Sequence, residues 1–230
     1  MKLILKRRPF SPLTFAILSS LGLFLSLACP AQAQDAVPAL DASTYQNCLG
    51  NLRSSAQFTG LSAATWAQAA PQLLPDGSVL PLLDKQPEFS MPVWDYMAVL
   101  VDAERVAAGR QAYSQWRTVF ADVAARYRVS PYLVAGVWGV ESNFGQNLGG
   151  RPLLTSLSTL SCFGRRQAYF KGEFAATLRI LQNGDVPLAK LNGSWAGAFG
   201  QTQFMPSTFL RLAQDGDGDG HKDIVSSVPD

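Results

Sequence analysis

The chain has 230 residues, 47% of them apolar and 16% charged, which suits one or two folded domains with a sizeable core and excludes a disordered tail. Its formal charge of +2 comes from Lys2, Lys6, Arg7 and Arg8. Without those four, 15 basic residues face 17 acidic ones, a net of −2, and a basic surface for nucleic acid is excluded.

Residues 1–33 read as a secretory signal: a basic start, an apolar run over 13–28, then Ala31-Gln32-Ala33 as a cleavage site. The run is short for a membrane span. Arg7-Arg8-Pro9-Phe10 loosely resembles a twin-arginine signal, so the export route stays open. Cys29 is a candidate lipid-anchored cysteine, but Ser26 stands where such sites have a larger aliphatic residue, so plain cleavage before Gln34 and a periplasmic protein are favoured. Cleavage leaves Cys48 and Cys162. An isolated pair in an oxidising compartment closes into a disulfide; the other reading is two buried thiols.

Residues 34–42 form an Ala/Pro/Gln linker. A helix from Ser43 places Tyr45, Cys48, Leu49 and Leu52 on one face, and Ser62 or Thr65 opens a second that ends before Pro71. Residues 71–81 are loop-like around Pro75-Asp76-Gly77, and Gln86-Pro87-Glu88-Phe89 is extended. Pro92 starts a helix through Trp94, Met97, Val101 and Val106 to near Gly109. Another, over 110–128, carries Trp116, Val119, Phe120, Val123 and Tyr127. No strand alternation and no internal repeat appear.

Residues 130–145, SPYLVAGVWGVESNFG, form the stretch around which the chain is organised. Ser130 and Pro131 suit a helix start and Gly145 its end. Val134, Val137, Trp138, Glu141 and Phe144 share a stripe that is apolar except for Glu141. A carboxyl there is desolvated by Val137 and Trp138 and lies near the negative end of the helix, so its pKa rises, as a general acid requires. The plain alternative is a rim glutamate whose head reaches water. A Gly-rich turn follows over 145–150, then a helix through Leu154, Leu157 and Leu160 to Cys162. The next helix carries Tyr169, Phe170, Phe174, Leu178 and Leu181 and breaks at Asn183-Gly184-Asp185. The small residues GSWAGAFG of 193–200 permit close backbone approach, and a last helix runs from Pro206 to Leu212.

Between Ser130 and Gln214 the carboxylates are Glu141, Glu173 and Asp185. Glu173 reads as lying on the polar side of its helix beside Lys171, and Asp185 lies in a turn, so neither pairs with Glu141. Glycosidases normally use two carboxyl groups; one acid suits a reaction in which the substrate supplies its own nucleophile. The single histidine, His221, excludes a serine triad, and no zinc cluster is present. Asp215-Gly-Asp217-Gly-Asp219-Gly220 fits the start of an EF-hand loop over 215–226. The His221 carbonyl would fall at position seven and Asp223 at position nine, but Ser226 stands where a bidentate acid belongs.

GVESNFG around Glu141, STLSCFGRRQAYF from Ser158, GSWAGAFGQTQFMPST from Gly193 and the acidic loop together resemble the membrane-bound lytic murein transglycosylase B family, over most of the chain after its signal. The resemblance implies an all-α, lysozyme-like fold, with an N-terminal helical extension over 43–112 and a catalytic domain over 113–230. It implies cleavage of the bond between N-acetylmuramic acid and N-acetylglucosamine in peptidoglycan, with Glu141 as acid and then as base on the muramyl 6-hydroxyl, closing a 1,6-anhydro ring. Ser194, Gln203, Tyr169, Arg165 and Arg166 match residues of the family's groove. No cofactor is required, and calcium, held by Asp215, Asp217, Asp219, His221 and Asp223, would be structural. The expected partner of the monomer is the glycan strand, with other cell-wall enzymes as further candidates. A hydrolytic muramidase on the same fold and a silent peptidoglycan-binding protein are the alternatives. The family's loop is followed by further helices, so the chain is expected to stop short of a complete domain. Phe199, Phe204, Phe209 and Leu212 would then be partly uncovered and the activity weak.

Overall fold

A computed structural model describes residues 39–85 and 91–230. The expected signal with Cys29, most of the expected linker and Gln86-Pro87-Glu88-Phe89 lie outside the described residues. Nine α-helices dominate the described part: α1 (Ala42–Arg53), α2 (Ala63–Ala69), α3 (Val93–Leu100), α4 (Ala103–Gln115), α5 (Arg117–Tyr127), α6 (Pro131–Ser142), α7 (Leu153–Cys162), α8 (Gln167–Asn183) and α9 (Pro206–Leu212). The mostly helical expectation holds. None of the described helices is long and apolar enough to cross a membrane.

Local chemistry sets these boundaries. Asp41 accepts hydrogen bonds from Ser43 Oγ and Thr44 N, both at 2.6 Å, which cap α1 and hold its carboxyl down at about 2. Ser62 Oγ caps α2 by accepting from Thr65 N at 3.0 Å. The long helix expected from Pro92 breaks at Val101, where the backbone is extended, and Asp102 caps a new one by accepting from Arg105 N at 2.7 Å. That new helix runs through Gly109 instead of stopping there. Cβ atoms at Gly109 and Gly139 would lie 2.9 and 2.5 Å from the tip of the Phe144 ring, so both glycines make room for this ring between α4 and α6. A second break at Trp116 separates α4 from α5.

Two apolar clusters form the interior. In the larger, Tyr45, Leu49 and Leu52 of α1, Phe58, Trp66 of α2 and Leu83 pack with Leu153, Leu154, Leu157 and Leu160 of α7 and Phe170, Phe174 and Leu178 of α8. A disulfide joins Cys48 of α1 to Cys162 at the end of α7, with Cα atoms 5.8 Å apart. Tyr45 Oη and Ser158 Oγ share a buried hydrogen bond of 2.6 Å across the same contact. The smaller cluster gathers Ala112, Phe120 and Trp138, with Phe144 and Val228 against it. Phe199 and Phe209, expected to be partly uncovered, are fully buried with ring centres 5.4 Å apart; Leu212 is exposed. Other exposed apolar side chains include Val93, Trp94, Met97 and Val99 of α3 and Tyr132, Leu133, Val137 and Val140 of α6.

The structure also contains a small antiparallel sheet that the sequence did not announce. Strands β1 (Arg151–Pro152) and β2 (Asn192–Gly193) pair Arg151 with Gly193 and Pro152 with Asn192. Two residues per strand are too few to produce an alternation. The pairing nevertheless brings the segment after Glu141 against the GSWAGAFG segment.

Candidate active site

The acid-bearing end of α6 is held by a turn of unusual geometry. The helix stops at Ser142, and Asn143, Phe144 and Gly145 are all left-handed, with φ of 49°, 57° and 81°. Asparagine tolerates that conformation and glycine favours it, whereas for phenylalanine it is strained. The Phe144 ring is fixed in its slot between the two glycines, edge-on to Trp138 at 5.5 Å, and this packing offsets the strain.

Glu141 does not lie on the buried face assigned to it. The buried side of α6 is formed by Trp138, Gly139 and Ser142, while Val137 and Val140 are 47% and 40% exposed and Glu141 is exposed beside them. The stripe read from the sequence is rotated by about one position, because Gly139 and Ser142, not Val137 and Glu141, join Trp138 on the core side. Partial burial still raises the Glu141 pKa above its ordinary 4.5, by desolvation. Its carboxyl makes no hydrogen bond or ion pair among the described residues.

Three contacts gather the neighbouring loops beside this helix end. Ser142 Oγ donates to the Gln201 carbonyl at 2.7 Å. Gln203 Nε2 donates to the carbonyls of Gly200 at 2.9 Å and Leu148 at 3.3 Å, with the Gln203 backbone itself left-handed at φ 48°. Gly149 meets Gly193 so closely that a Cβ on Gly149 would fall 2.3 Å from the Gly193 carbonyl carbon. Ser194 closes the tight 194–198 loop, its Oγ accepting from Ala198 N at 3.0 Å and leaving the hydroxyl proton available. Loops carrying Ser194 and Gln203 are thus bonded directly to the segment that follows Glu141.

The other expected groove residues are placed differently. The Arg166 guanidinium sits 4.6 Å over the half-exposed Tyr169 ring. Burial pushes the Tyr169 hydroxyl pKa up, Glu173 adds to the rise, and Arg166 opposes both. Arg165 turns away, ion-paired to Asp84 at 2.7 Å and donating to the Leu83 carbonyl, so the two arginines do not act as a pair. Neither Tyr169 nor Arg166 is hydrogen-bonded to Glu141 or to the 193–203 loop among the described residues. A cavity of about 590 Å³ between α4 and α6 is walled by apolar groups such as Val106, Tyr113, Tyr132 and Phe144 and is not lined by Glu141.

Glu173 is also misplaced by the sequence reading. It is 4% exposed, and its two carboxylate oxygens accept from Ser207 N at 2.9 Å and Ser207 Oγ at 2.7 Å at the start of α9. The helix α8 is buried on most of its circumference, so its apparent polar side faces α9. Glu173 is therefore committed to holding α9 and is not a second catalytic carboxyl.

In the acidic loop, Asp215, Asp217 and Asp230 bring ligand oxygens within 4.8 Å of one another. Asp219 and Asp223 stand outside that cluster. Asp219 accepts from His221 N at 2.8 Å, and Asp223 caps Val225 and Ser226, both at 3.0 Å, and faces Lys190 at 3.8 Å. Ser226, at position twelve, is bonded to Lys190 Nζ. Asp230 is the residue that sequence reasoning missed. It takes the third place because residues 224–227 turn back and carry it to Gly216 N at 2.9 Å and Asp223 N at 2.7 Å. Three converging carboxylates are a hard-oxygen set that fits calcium.

Comparison with known proteins shows the family. The family described as "Transglycosylase SLT domain" matches residues 44–230. The chain is 33% identical over 161 residues to membrane-bound lytic murein transglycosylase B of Escherichia coli (strain K12), covering 66% of this chain and 45% of that protein. Crystalline SltB3 from Pseudomonas aeruginosa, in complex with NAG-anhNAM-pentapeptide, is similar at 39% identity and a TM-score of 0.70, over 80% of this chain and 47% of that one. The Escherichia coli lytic transglycosylase SLT35 in complex with calcium is similar at 28% identity and a TM-score of 0.67, over 81% and 59%. The chain thus spans about half the length of the relatives it matches.

Proposed function

The chain belongs to the transglycosylase SLT domain family, and on that premise we propose that it is an exported lytic transglycosylase of peptidoglycan. Its substrate is the glycan strand, cut between N-acetylmuramic acid and N-acetylglucosamine. Glu141, protonated, gives its proton to the glycosidic oxygen as that bond breaks. The resulting carboxylate then takes the proton of the muramyl 6-hydroxyl, whose oxygen bonds to C1 and closes the 1,6-anhydro ring. The acid ends as it began and no water enters the product.

The observation that carries this reading is a carboxyl raised by desolvation, without a partner among the described residues, next to Ser142, whose hydroxyl holds the Gln201 carbonyl, while the buried Glu173 is taken up by Ser207. A hydrolase of the usual kind needs a second carboxyl across the bond. Ser194, with a hydroxyl proton to spare, and Gln203, with its carbonyl oxygen free, bind sugar near the acid; Tyr169 and Arg166 offer a ring and a cation further along. Arg165 contributes through Asp84 to the fold of this end. The signal-like residues 1–33 support a periplasmic site of action.

Calcium, when bound, would supply charge neutralisation that orders the acidic loop, with Asp215, Asp217 and Asp230 as its carboxylate ligands. The reaction itself is assigned to protein groups alone. The test is release of soluble muropeptides from purified sacculi by the wild-type chain and by Glu141→Gln. Release by the wild type alone supports the reading, and equal release by both moves the acid elsewhere.

A further inference from the structure

The residue next to the acid and the acidic loop are joined by an unbroken run of hydrogen bonds. Ser142 is 1% exposed, and its hydroxyl works in both directions, donating to the Gln201 carbonyl at 2.7 Å and accepting from Gly145 N at 3.0 Å. Gln201, itself buried, donates from its backbone N to the Ile224 carbonyl at 2.9 Å and from Nε2 to the Ser227 carbonyl at 3.3 Å. Ser227 Oγ in turn donates to Asp217 Oδ2 at 2.8 Å, a carboxylate of the three-aspartate cluster.

We propose that Ser142 and Gln201 are positioning residues that couple Glu141 to the acidic loop, so that a cation in the loop and a glycan at Glu141 tighten each other's binding. The proposal rests on the reading of Glu141 as the acid and of the loop as a calcium site. The connection has little slack. A Cβ on Gly145 would lie 2.8 Å from Gln201 Oε1, and one on Gly200 would lie 2.5 Å from Ile224 Cγ1. Packed segments of this kind shift together. A cation drawing Asp217 and Asp230 together orders residues 224–230, whose carbonyls hold Gln201, whose carbonyl holds Ser142. The left-handed turn at 143–145 persists only where its surroundings hold it, and Ser142 is the side chain that does so from the helix side.

Coupling between two binding sites is reciprocal, so four affinities test it. The Glu141→Gln protein, which leaves the glycan intact, is titrated calorimetrically with NAG-NAM-pentapeptide in calcium chloride and in chelator, and with calcium chloride with and without the fragment. Calcium is expected to tighten fragment binding by about fivefold or more, the low end of ordinary coupling, and the fragment to tighten calcium binding by the same factor. Adding Ser142→Ala, or Gln201→Met should the serine variant not fold, is expected to reduce that factor to no measurable effect. A merely structural role would weaken both affinities and leave the factor intact. An unchanged factor, or no coupling in the starting protein when both ligands bind, overturns the proposal. Failure of calcium or of the fragment to bind at all overturns the underlying reading and the coupling with it.

Discussion

A carboxyl group at the edge of an apolar surface keeps its proton to higher pH than one in open water, because the charged form loses more solvation than the neutral one. Glu141 is in that position beside the exposed Val137 and Val140. Its folded pKa lies above its unfolded one, so the folded state holds more protons in the interval between them. Its contribution to stability is therefore fully present below the unfolded value and is lost as pH rises through the folded value. Turnover that depends on the protonated acid falls over the same rise. Both slopes should vanish in Glu141→Gln, read from chemical denaturation and from sacculus clearance at stepped pH. The same substitution should lower turnover by about 100-fold or more while leaving the melting temperature in place. Glu141 stands out in the sequence as the proposed acid because its motif is contiguous. Its exposure does not, since periodicity marks which residues share a stripe and leaves open which stripe faces the core when glycine and serine can do so. Glu173 and Asp230 were hidden for a related reason: their partners, Ser207 and Gly216, lie 34 and 14 residues along the chain.

The helices whose ends carry recognisable capping or breaking residues were placed well, as α2, α8 and α9 illustrate, because Ser62, Gly184 and Pro206 act on immediate neighbours. The α3–α4–α5 run was not, because Gly109 reads as a stop unless the Phe144 ring that fills its missing side chain is seen. Glu173 ties α8 to α9 by two hydrogen bonds from one residue, so Glu173→Ala strands two donors. A loss of about 1–3 kcal/mol in urea unfolding is expected, and Glu173→Gln, which keeps an acceptor, should lose less. The acidic loop should respond to calcium as a ligand that binds the folded state only. At a hundred times its dissociation constant the ion should add about 2.7 kcal/mol to stability. Asp230→Asn should remove most of that gain, whereas Asp223→Asn, outside the cluster, should leave it largely intact.

On the scale of the whole molecule, α1 and α7 are joined twice, by the Cys48–Cys162 bridge and by the Tyr45–Ser158 hydrogen bond, across a separation of 114 residues for the cysteines. Replacing either cysteine by serine should cost about 2–5 kcal/mol, since the bridge closes a long loop in the unfolded chain. Intact-mass analysis after alkylation without reductant should find no free thiol on either residue. The pairing was open to sequence reasoning because two cysteines remain beyond residues 1–33, which read as a signal, whereas the small β1–β2 sheet, which sets the loops beside Glu141, left no periodic trace. In the reaction we propose, the muramyl 6-hydroxyl, not water, attacks, a reading supported by Glu173, the buried carboxyl, being taken up by Ser207. Digestion of purified sacculi in water enriched in oxygen-18, followed by mass spectrometry of the released muropeptides, decides between the two nucleophiles. Products lighter by one water than hydrolysed muropeptides, carrying no heavy oxygen and absent from the Glu141→Gln digest, are expected. Reducing-end products bearing one heavy oxygen would contradict it.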